Sequence, residues 1–349
     1  MLAYWALFGF FAIGSVLDIR KPPDLRRTRP AWLLGGLIIA LMIGLRFEVG
    51  ADWETYAFIF ARAGYQDFWR ALAIGDPGFQ AVNWLVQRVG GEIFWVNLTC
   101  AALFTWGLFR LCRTQPYPWL AVLVAIPYMV IVVSCYTRQG AALGILMGGL
   151  ASLIRGGSLA RFVVYVTIAA TFHRTAIVIL PLVVFAKPTN RFINIVGGIA
   201  ACYAMYDFFL ADSMETYVEN YLEREYSSQG AAIRIAMVVL AALIFMARRK
   251  NFGFPAFEDR IWYYFSIASF AALAFLIFSP SSTAVDRVSL YLMPLQIVVL
   301  SRLPFVYTSR YFGVGLVAAY CFAVQFVWLN YAVHWEAWLP YQFYPVWGE

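Results

Sequence analysis

Residues 162–186 read FVVYVTIAATFHRTAIVILPLVVFA, an apolar run broken at its middle by His173 and Arg174. How this run is counted decides the topology of the chain. As a single pass it would invert every later loop and put Arg248, Arg249 and Lys250 outside, against the bias of basic residues toward the cytoplasm. As two short arms turning at His173–Arg174 it returns Lys187 and Arg191 to the cytoplasm. In that arrangement 17 of the 26 lysines and arginines share the inner side, and 15 of the 19 acids lie outside. The second reading is adopted. Each arm then rises roughly 18 Å, short of a hydrocarbon core of ~30 Å, so the tip is expected within the bilayer, facing a watered cavity lined by protein.

The remainder of the chain has the same character. Its 349 residues are 62% hydrophobic and 13% charged, with a mean hydropathy of +0.71. A soluble domain carries about 25% charged residues, so a soluble fold, a disordered chain and a coiled coil are excluded. Cys100, Cys112, Cys135, Cys202 and Cys321 show no CxxC spacing and no neighbouring histidine, which argues against disulfides and zinc. The net charge of +7 sits in short clusters between apolar runs and reads as a topology signal, with no nucleic acid as partner.

The expected fold is all-α: a polytopic integral membrane protein forming a single transmembrane domain over 1–349. About ten spans are expected, at Met1–Leu17, Ala31–Leu45, Ile93–Leu111, Trp119–Tyr136, Gln139–Ile154, Phe192–Leu210, Ala231–Ala247, Ile261–Phe278, Val288–Ser301 and Tyr311–Asn330. The re-entrant or short helical hairpin at His173–Arg174 is additional. The first span is uncharged and followed by Arg20, Lys21, Arg26, Arg27 and Arg29, so it is read as retained, with the N-terminus outside. Outside loops 46–92 and 211–230 are expected to be structured. The first carries short amphipathic helices at Glu54–Arg62, Phe68–Ala73 and Phe79–Val89, and the aromatic tail Tyr331–Glu349 reads as an interfacial belt.

On the outer side this topology gathers Arg46, Asp52, Tyr56, Arg138, Gln139, His173, Arg174, Arg234, Arg287 and Tyr291. Ionisable groups at membrane depth are costly and face cavities where they meet a substrate or an ion. Arginine suits a diphosphate, since its planar fork donates paired hydrogen bonds and keeps its charge. Each position also has a plainer reading. Arg46 closes a span and would serve as a snorkelling anchor. Asp52 would cap the helix that begins near Glu54, and Asp52-Trp53-Glu54 has the look of a divalent-cation pair, although no metal is expected. Arg138 opens a span containing Gly140 and Gly144, where small residues let helices approach, and is either an interfacial anchor or one half of an anion site. Arg287 and Tyr291, four apart, would share a helical face. Arg234, inside its span, requires a counter-charge from Asp286 or from substrate. His173, an imidazole that titrates near neutrality beside an arginine, suits proton transfer.

Taken in order, these motifs resemble a known family. Leu45-Arg46-Phe47-Glu48-Val49-Gly50-Ala51-Asp52-Trp53-Glu54-Thr55-Tyr56 is similar to the LRY-x-VG-x-D-x-x-x-Y signature of the EpsG-like exopolysaccharide polymerases, relatives of Wzy-type polymerases. Pro77-Gly78-Phe79, Asn83-Trp84-Leu85, Thr137-Arg138-Gln139, Phe172-His173-Arg174-Thr175-Ala176 and Arg287-Val288-Ser289-Leu290-Tyr291 follow in the family's order. Asp76 stands where glutamate is expected before Pro-Gly-Phe, and Ala51 where threonine is common.

The resemblance implies a multi-pass enzyme of the bacterial cytoplasmic (inner) membrane, compatible with a GT-C-like glycosyltransferase architecture, whose active site faces the exterior. Donor and acceptor would be undecaprenyl-diphosphate-linked oligosaccharides, with membrane lipids, a chain-length regulator and a flippase as further partners. The glycosyl diphosphate bond supplies the energy, so no cofactor is expected, in keeping with the lack of a Gly-rich phosphate loop. Arg46, Arg138, Arg174 and Arg287 would hold the diphosphate, with His173 or Asp52 as base. Alanine at Arg46, Arg138, His173 or Arg287 is expected to abolish polymer without lowering protein levels. A flippase for the same lipid-linked saccharide and a membrane O-acyltransferase are the competing classes.

Overall fold

The computed structural model describes residues 1–19, 30–187, 196, 203, 230–278, 282–306 and 309–347. The basic cluster at 20–29, the span expected at 192–210, the loop at 211–229, Arg191 and Arg224 lie outside the described residues. Among the described residues all regular structure is helical, apart from one isolated bridge between Arg46 and Phe343. The chain divides into two compact units, Met1–Arg174 with Ser309–Glu349, and Thr175–Thr308.

The first unit contains α1 (Leu2–Asp18), α2 (Pro30–Gly44), α3 (Trp53–Gly64), α4 (Phe68–Ala73), α5 (Pro77–Arg88) and α6 (Ile93–Cys112). It continues with α7 (Pro118–Ala125), a π turn at Ile126–Val130, the short α8 (Ile131–Val133), α9 (Thr137–Ile154) and α10 (Leu159–Phe172). The second unit holds α11 (Ile179–Ala186), α12 (Ala231–Arg248), α13 (Ala256–Phe278), α14 (Ser282–Ser289) and α15 (Met293–Val306). The chain then returns to the first unit as α16 (Arg310–Tyr331) and α17 (Tyr344–Trp347).

Burial explains the apolar patterns. The central α9 is buried on every side from Gln139 to Leu153, as an all-round apolar helix should be. It crosses α6 where two glycines meet: a Cβ on Gly107 would stand 1.7 Å from the Gly144 carbonyl oxygen. Only hydrogen fits there, so the two backbones are in contact, the close approach that small residues permit between membrane helices. The peripheral α16 is one-sided. Val314, Val317, Cys321, Gln325 and Leu329 face inward, while Phe312, Leu316, Phe322 and Phe326 are exposed. An apolar outer surface of this kind belongs against lipid. Among the described residues five helices have the length and composition to cross a membrane: Ile93–Cys112, Ala231–Phe252, Ala256–Phe278, Val285–Val306 and Arg310–Tyr331. Shorter apolar helices lie at Leu2–Asp18, Pro30–Gly44, Pro118–Val130, Leu159–Phe172 and Arg174–Ala186.

The apolar run of residues 162–186 is interrupted at His173, whose backbone is extended (φ −157°, ψ 115°). A tight 3-10 turn, Arg174–Val178, follows before α11. Three sequence expectations change. The span Trp119–Tyr136 is not one regular helix, because Pro127 lacks an N–H and the ladder passes through the π turn and stops at Val133. Arg287 and Tyr291 do not share a regular α-helical face, since the helix tightens into a 3-10 turn at Leu290–Leu292. The aromatic tail is divided: Trp338 is 6% exposed and packs with Tyr4, Val49, Ile131, Cys135 and Leu329, while Tyr331, Val333, Trp335 and Val346 are exposed as an interfacial segment would be. The Trp338 indole N–H donates to the Ile131 carbonyl at 3.2 Å, and its own carbonyl accepts from the Tyr4 hydroxyl at 3.2 Å.

Candidate functional site

The site begins where α2 ends. Residues 45–50 form a bent strap pinned to the tail: Phe47 N–H donates to Gln342 O at 3.0 Å, Tyr344 N–H to Leu45 O at 2.9 Å, and Gly50 N–H to Ala337 O at 2.7 Å. Gly50 has φ +105°, and a Cβ there would stand 2.7 Å from the Ser134 carbonyl oxygen. Both the left-handed backbone and the close approach require glycine. Within the strap, Arg46 is 1% exposed. Its Nε donates to Val49 O at 3.0 Å and its Nη2 to Thr137 Oγ1 at 2.8 Å, while Nη1 bonds the Ile43 carbonyl. One guanidinium therefore ties together the end of α2, the strap and the first residue of α9. It neither snorkels nor reaches the outer surface.

Three aspartates stand at helix starts in the loop that follows, and they behave differently. Asp67 caps α4, accepting from Arg70 N–H at 3.1 Å. Asp52 and Asp76 make no capping bond through their side chains, so the capping role read for Asp52 is not the one it fills. Asp76 turns its carboxylate away from its helix. Oδ2 accepts from Arg138 Nη1 at 2.8 Å, and Oδ1 accepts from the Arg174 backbone N–H at 3.3 Å, with Arg174 Nε 3.9 Å away. Pro77 starts α5 with its φ preset for the helix, and the Asp76 carboxylate makes no capping bond. Gly78 sets the register, because a Cβ there would stand 2.3 Å from Thr171 Oγ1. The Asp76-Pro77-Gly78-Phe79 corner thus docks on the last turn of α10, directly below Arg174.

The Arg138 guanidinium lies 6.0 Å from the Tyr56 ring centroid and 5.9 Å from that of Phe79, within cation–π range. It also hydrogen-bonds the Tyr56 side chain. Its Nε is buried with no hydrogen-bond partner among the described residues. Asp52 is near enough to Tyr56 to disfavour the phenolate, although burial is the main cause that pushes the Tyr56 phenol up and Arg138 opposes it. Burial likewise raises the Asp76 carboxyl above its ordinary value, with Arg138 and Arg174 pulling the other way. The balance of charge is one buried carboxylate, 7% exposed, against two guanidinium side chains that are 31% and 38% exposed. The two arginines keep exposed surface that can donate to an oxyanion ligand, with Asp52 near Tyr56 as a second acid of the cluster.

Of the residues singled out in the sequence, Asp52, Tyr56, Arg138 and Arg174 gather here, with His173 next to Arg174 in the chain and Arg46 behind them. Gln139 is buried on α9 at 3% exposure. The others belong to the second unit. Arg234 is paired with Asp286 at 2.8 Å, both side chains almost fully buried. The Tyr291 hydroxyl accepts from Thr175 Oγ1 at 3.5 Å, and Arg287 is half-buried in the last turn of α14. Sequence reasoning missed Asp76 as a site residue. The available signal was an acid directly ahead of a helix-starting proline, in a chain whose arginines outnumber the carboxylates at membrane depth.

No curated protein and no solved structure matches the chain. The model of the EpsG family, a Wzy-like polymerase family, matches residues 31–343, and the protein belongs to that family.

Proposed function

We propose that the protein is a polysaccharide polymerase. It joins oligosaccharide repeat units carried on undecaprenyl diphosphate at the outer face of the bacterial cytoplasmic membrane and releases undecaprenyl diphosphate. We propose with it the ten-pass topology, the hairpin at His173–Arg174 and a GT-C-like architecture, which the long and shorter apolar helices support. The observation that carries the reading is the Asp76 carboxylate held between Arg138 and Arg174, in a chain of a Wzy-like polymerase family.

In the proposed reaction the acceptor hydroxyl oxygen forms a bond to the anomeric carbon of the donor as the bond from that carbon to the diphosphate oxygen breaks. The electron pair leaves on the diphosphate. Arg138 and Arg174, oriented by Asp76, meet the charge as it builds, which lowers the barrier more than it stabilises the bound substrate. His173 orients the acceptor hydroxyl and takes its proton, a role worth about 10²–10⁴-fold; Asp52, beside Tyr56, is the second candidate for it. Arg287, Arg234 and Tyr291 are proposed as substrate-binding residues of the second unit, Arg234 within its ion pair with Asp286.

The test is purified protein in liposomes supplied with a synthetic lipid-diphosphate repeat unit. A ladder of lengthening glycans supports the polymerase. Movement of the lipid across the bilayer without a new glycosidic bond would make the protein a flippase, and acyl transfer to the sugar would make it an acyltransferase.

A further inference from the structure

A cavity of about 380 Å³ opens at the end of the first unit opposite the Asp76 cluster. It is lined by Trp32, Leu33 and Gly36 of α2, by Thr105, Trp106, Phe109 and Arg110 of α6, and by Arg113 and Arg155. The two sites lie at the two ends of α9: Arg138 follows its first residue and Arg155 its last. Eighteen helical residues separate them by about 27 Å, close to the thickness of a hydrocarbon core.

Three properties of the cavity point to one kind of occupant. Its lining includes three arginines and no carboxylate. Partial burial and the neighbouring Arg110 and Arg113 hold the Arg155 pKa below its ordinary value, and Arg155 Nη2 donates to the Arg110 carbonyl at 3.5 Å. Its mouth is apolar and open to the outer surface of the unit, with Leu33 60% and Trp106 42% exposed, while the Arg110 guanidinium rests 5.3 Å from the Trp106 ring centroid. Deeper inside, the Thr105 hydroxyl is buried and has no hydrogen-bond partner among the described residues. It sits about 7–8 Å further along the helix axis than Arg110. A free anion would use the arginines and leave the aromatic wall and the deep hydroxyl idle. A headgroup with a phosphate at the surface, ester oxygens a few ångströms below it and apolar chains beyond would engage all three. Basic pockets between membrane helices are a known setting for such lipids.

We propose that this cavity holds the phosphodiester headgroup of an anionic glycerophospholipid, drawn from the leaflet opposite the Asp76 cluster. Arg110, Arg113 and Arg155 surround the phosphate, and Thr105 donates to an ester oxygen. The inference rests on the membrane fold and is independent of the reaction proposed above.

The experiment is native mass spectrometry of the full chain released from micelles containing phosphatidylglycerol or phosphatidylcholine. Wild-type protein is expected to retain one phosphatidylglycerol and to lose phosphatidylcholine. The double variant Arg110→Gln/Arg155→Gln should hold phosphatidylglycerol about tenfold or more weakly, at roughly 1 kcal/mol per arginine. Thr105→Val should weaken it by a smaller factor. Arg70→Gln, which removes an exposed arginine of the outer loop, should leave it unchanged. Equal retention of the two lipids by wild-type protein overturns the proposal, as does undiminished retention in a folded double variant. Inorganic phosphate displacing phosphatidylglycerol at equal concentration would make the cavity a free-anion site and also overturns it. The wild-type comparisons decide the matter even where a variant fails to fold.

Discussion

Asp76 and Arg46 show how differently two charged side chains serve one site. Asp76 holds two arginines that retain exposed surface, so Asp76→Asn should lower polymer synthesis by about a hundredfold, the scale of losing an oriented electrostatic contact. Asp76→Glu should recover part of it, and the glycan ladder measures both. The pH dependence follows from the raised carboxyl. Acidification protonates Asp76 above the ordinary aspartate range and frees Arg138 and Arg174, so the acid limb of the rate should lie higher than for an unperturbed carboxylate. The native state binds this proton more tightly than the unfolded chain does. The stability linked to this group is therefore fully present at low pH and is lost as pH rises through its native value. Between about pH 7 and pH 4 activity should fall while the melting temperature, taken as the difference from Asp76→Asn, does not. Arg46 is the opposite case, with its donors bound to protein oxygens. Arg46→Ala should cost about 3–5 kcal/mol by leaving a cavity and unmatched acceptors. The consequence is a lower melting temperature and less protein, a revision of the expectation that protein levels hold; Arg138→Ala should leave them intact. The arginines were legible because a guanidinium is conspicuous in an apolar chain. Asp76 was not, since its role depends on the Gly78 corner docking on Thr171, a contact between distant segments.

At the scale of elements, the helices between residues 46 and 92 stand within two residues of where amphipathic spacing puts them. The longer helices follow their apolar runs to within a few residues. What the pattern hides is interruption. Ile126–Val130 lies in a run as apolar as a regular span, and the break there follows from Pro127, with Gly50 of the strap close against the Ser134 carbonyl just beyond. Gly140 and Gly144 of α9 were readable as close-packing residues, and the structure adds the α6 partner, Gly107, which meets Gly144. Gly107→Leu should force the two helices apart and cost about 1–3 kcal/mol or more, as overpacking does. Thermal unfolding in detergent would detect it, and the same substitution at the half-buried Gly9, which has nothing within 4 Å of an added Cβ, should cost less.

For the whole molecule, the partition into two units leaves no trace in composition, because both are built from the same apolar helices. The burial of Trp338 within the tail was not legible for a related reason: Trp, Tyr and Pro in such a segment fit a membrane interface as readily as a core. Trp338→Ala should cost about 3–5 kcal/mol, lower the melting temperature and weaken the catalytic rate through the loosened strap, whereas an interfacial tryptophan would give neither effect. The first unit is also discontinuous, closed only when α16 and the tail return to it. As the nascent chain leaves the ribosome, Arg46 and its neighbours must wait in the membrane, incompletely packed, until the entire second unit has been translated and inserted. Premature termination before Ser309 therefore yields an unfinished fold rather than a partly working enzyme, and surveillance proteases have a long interval in which to remove it.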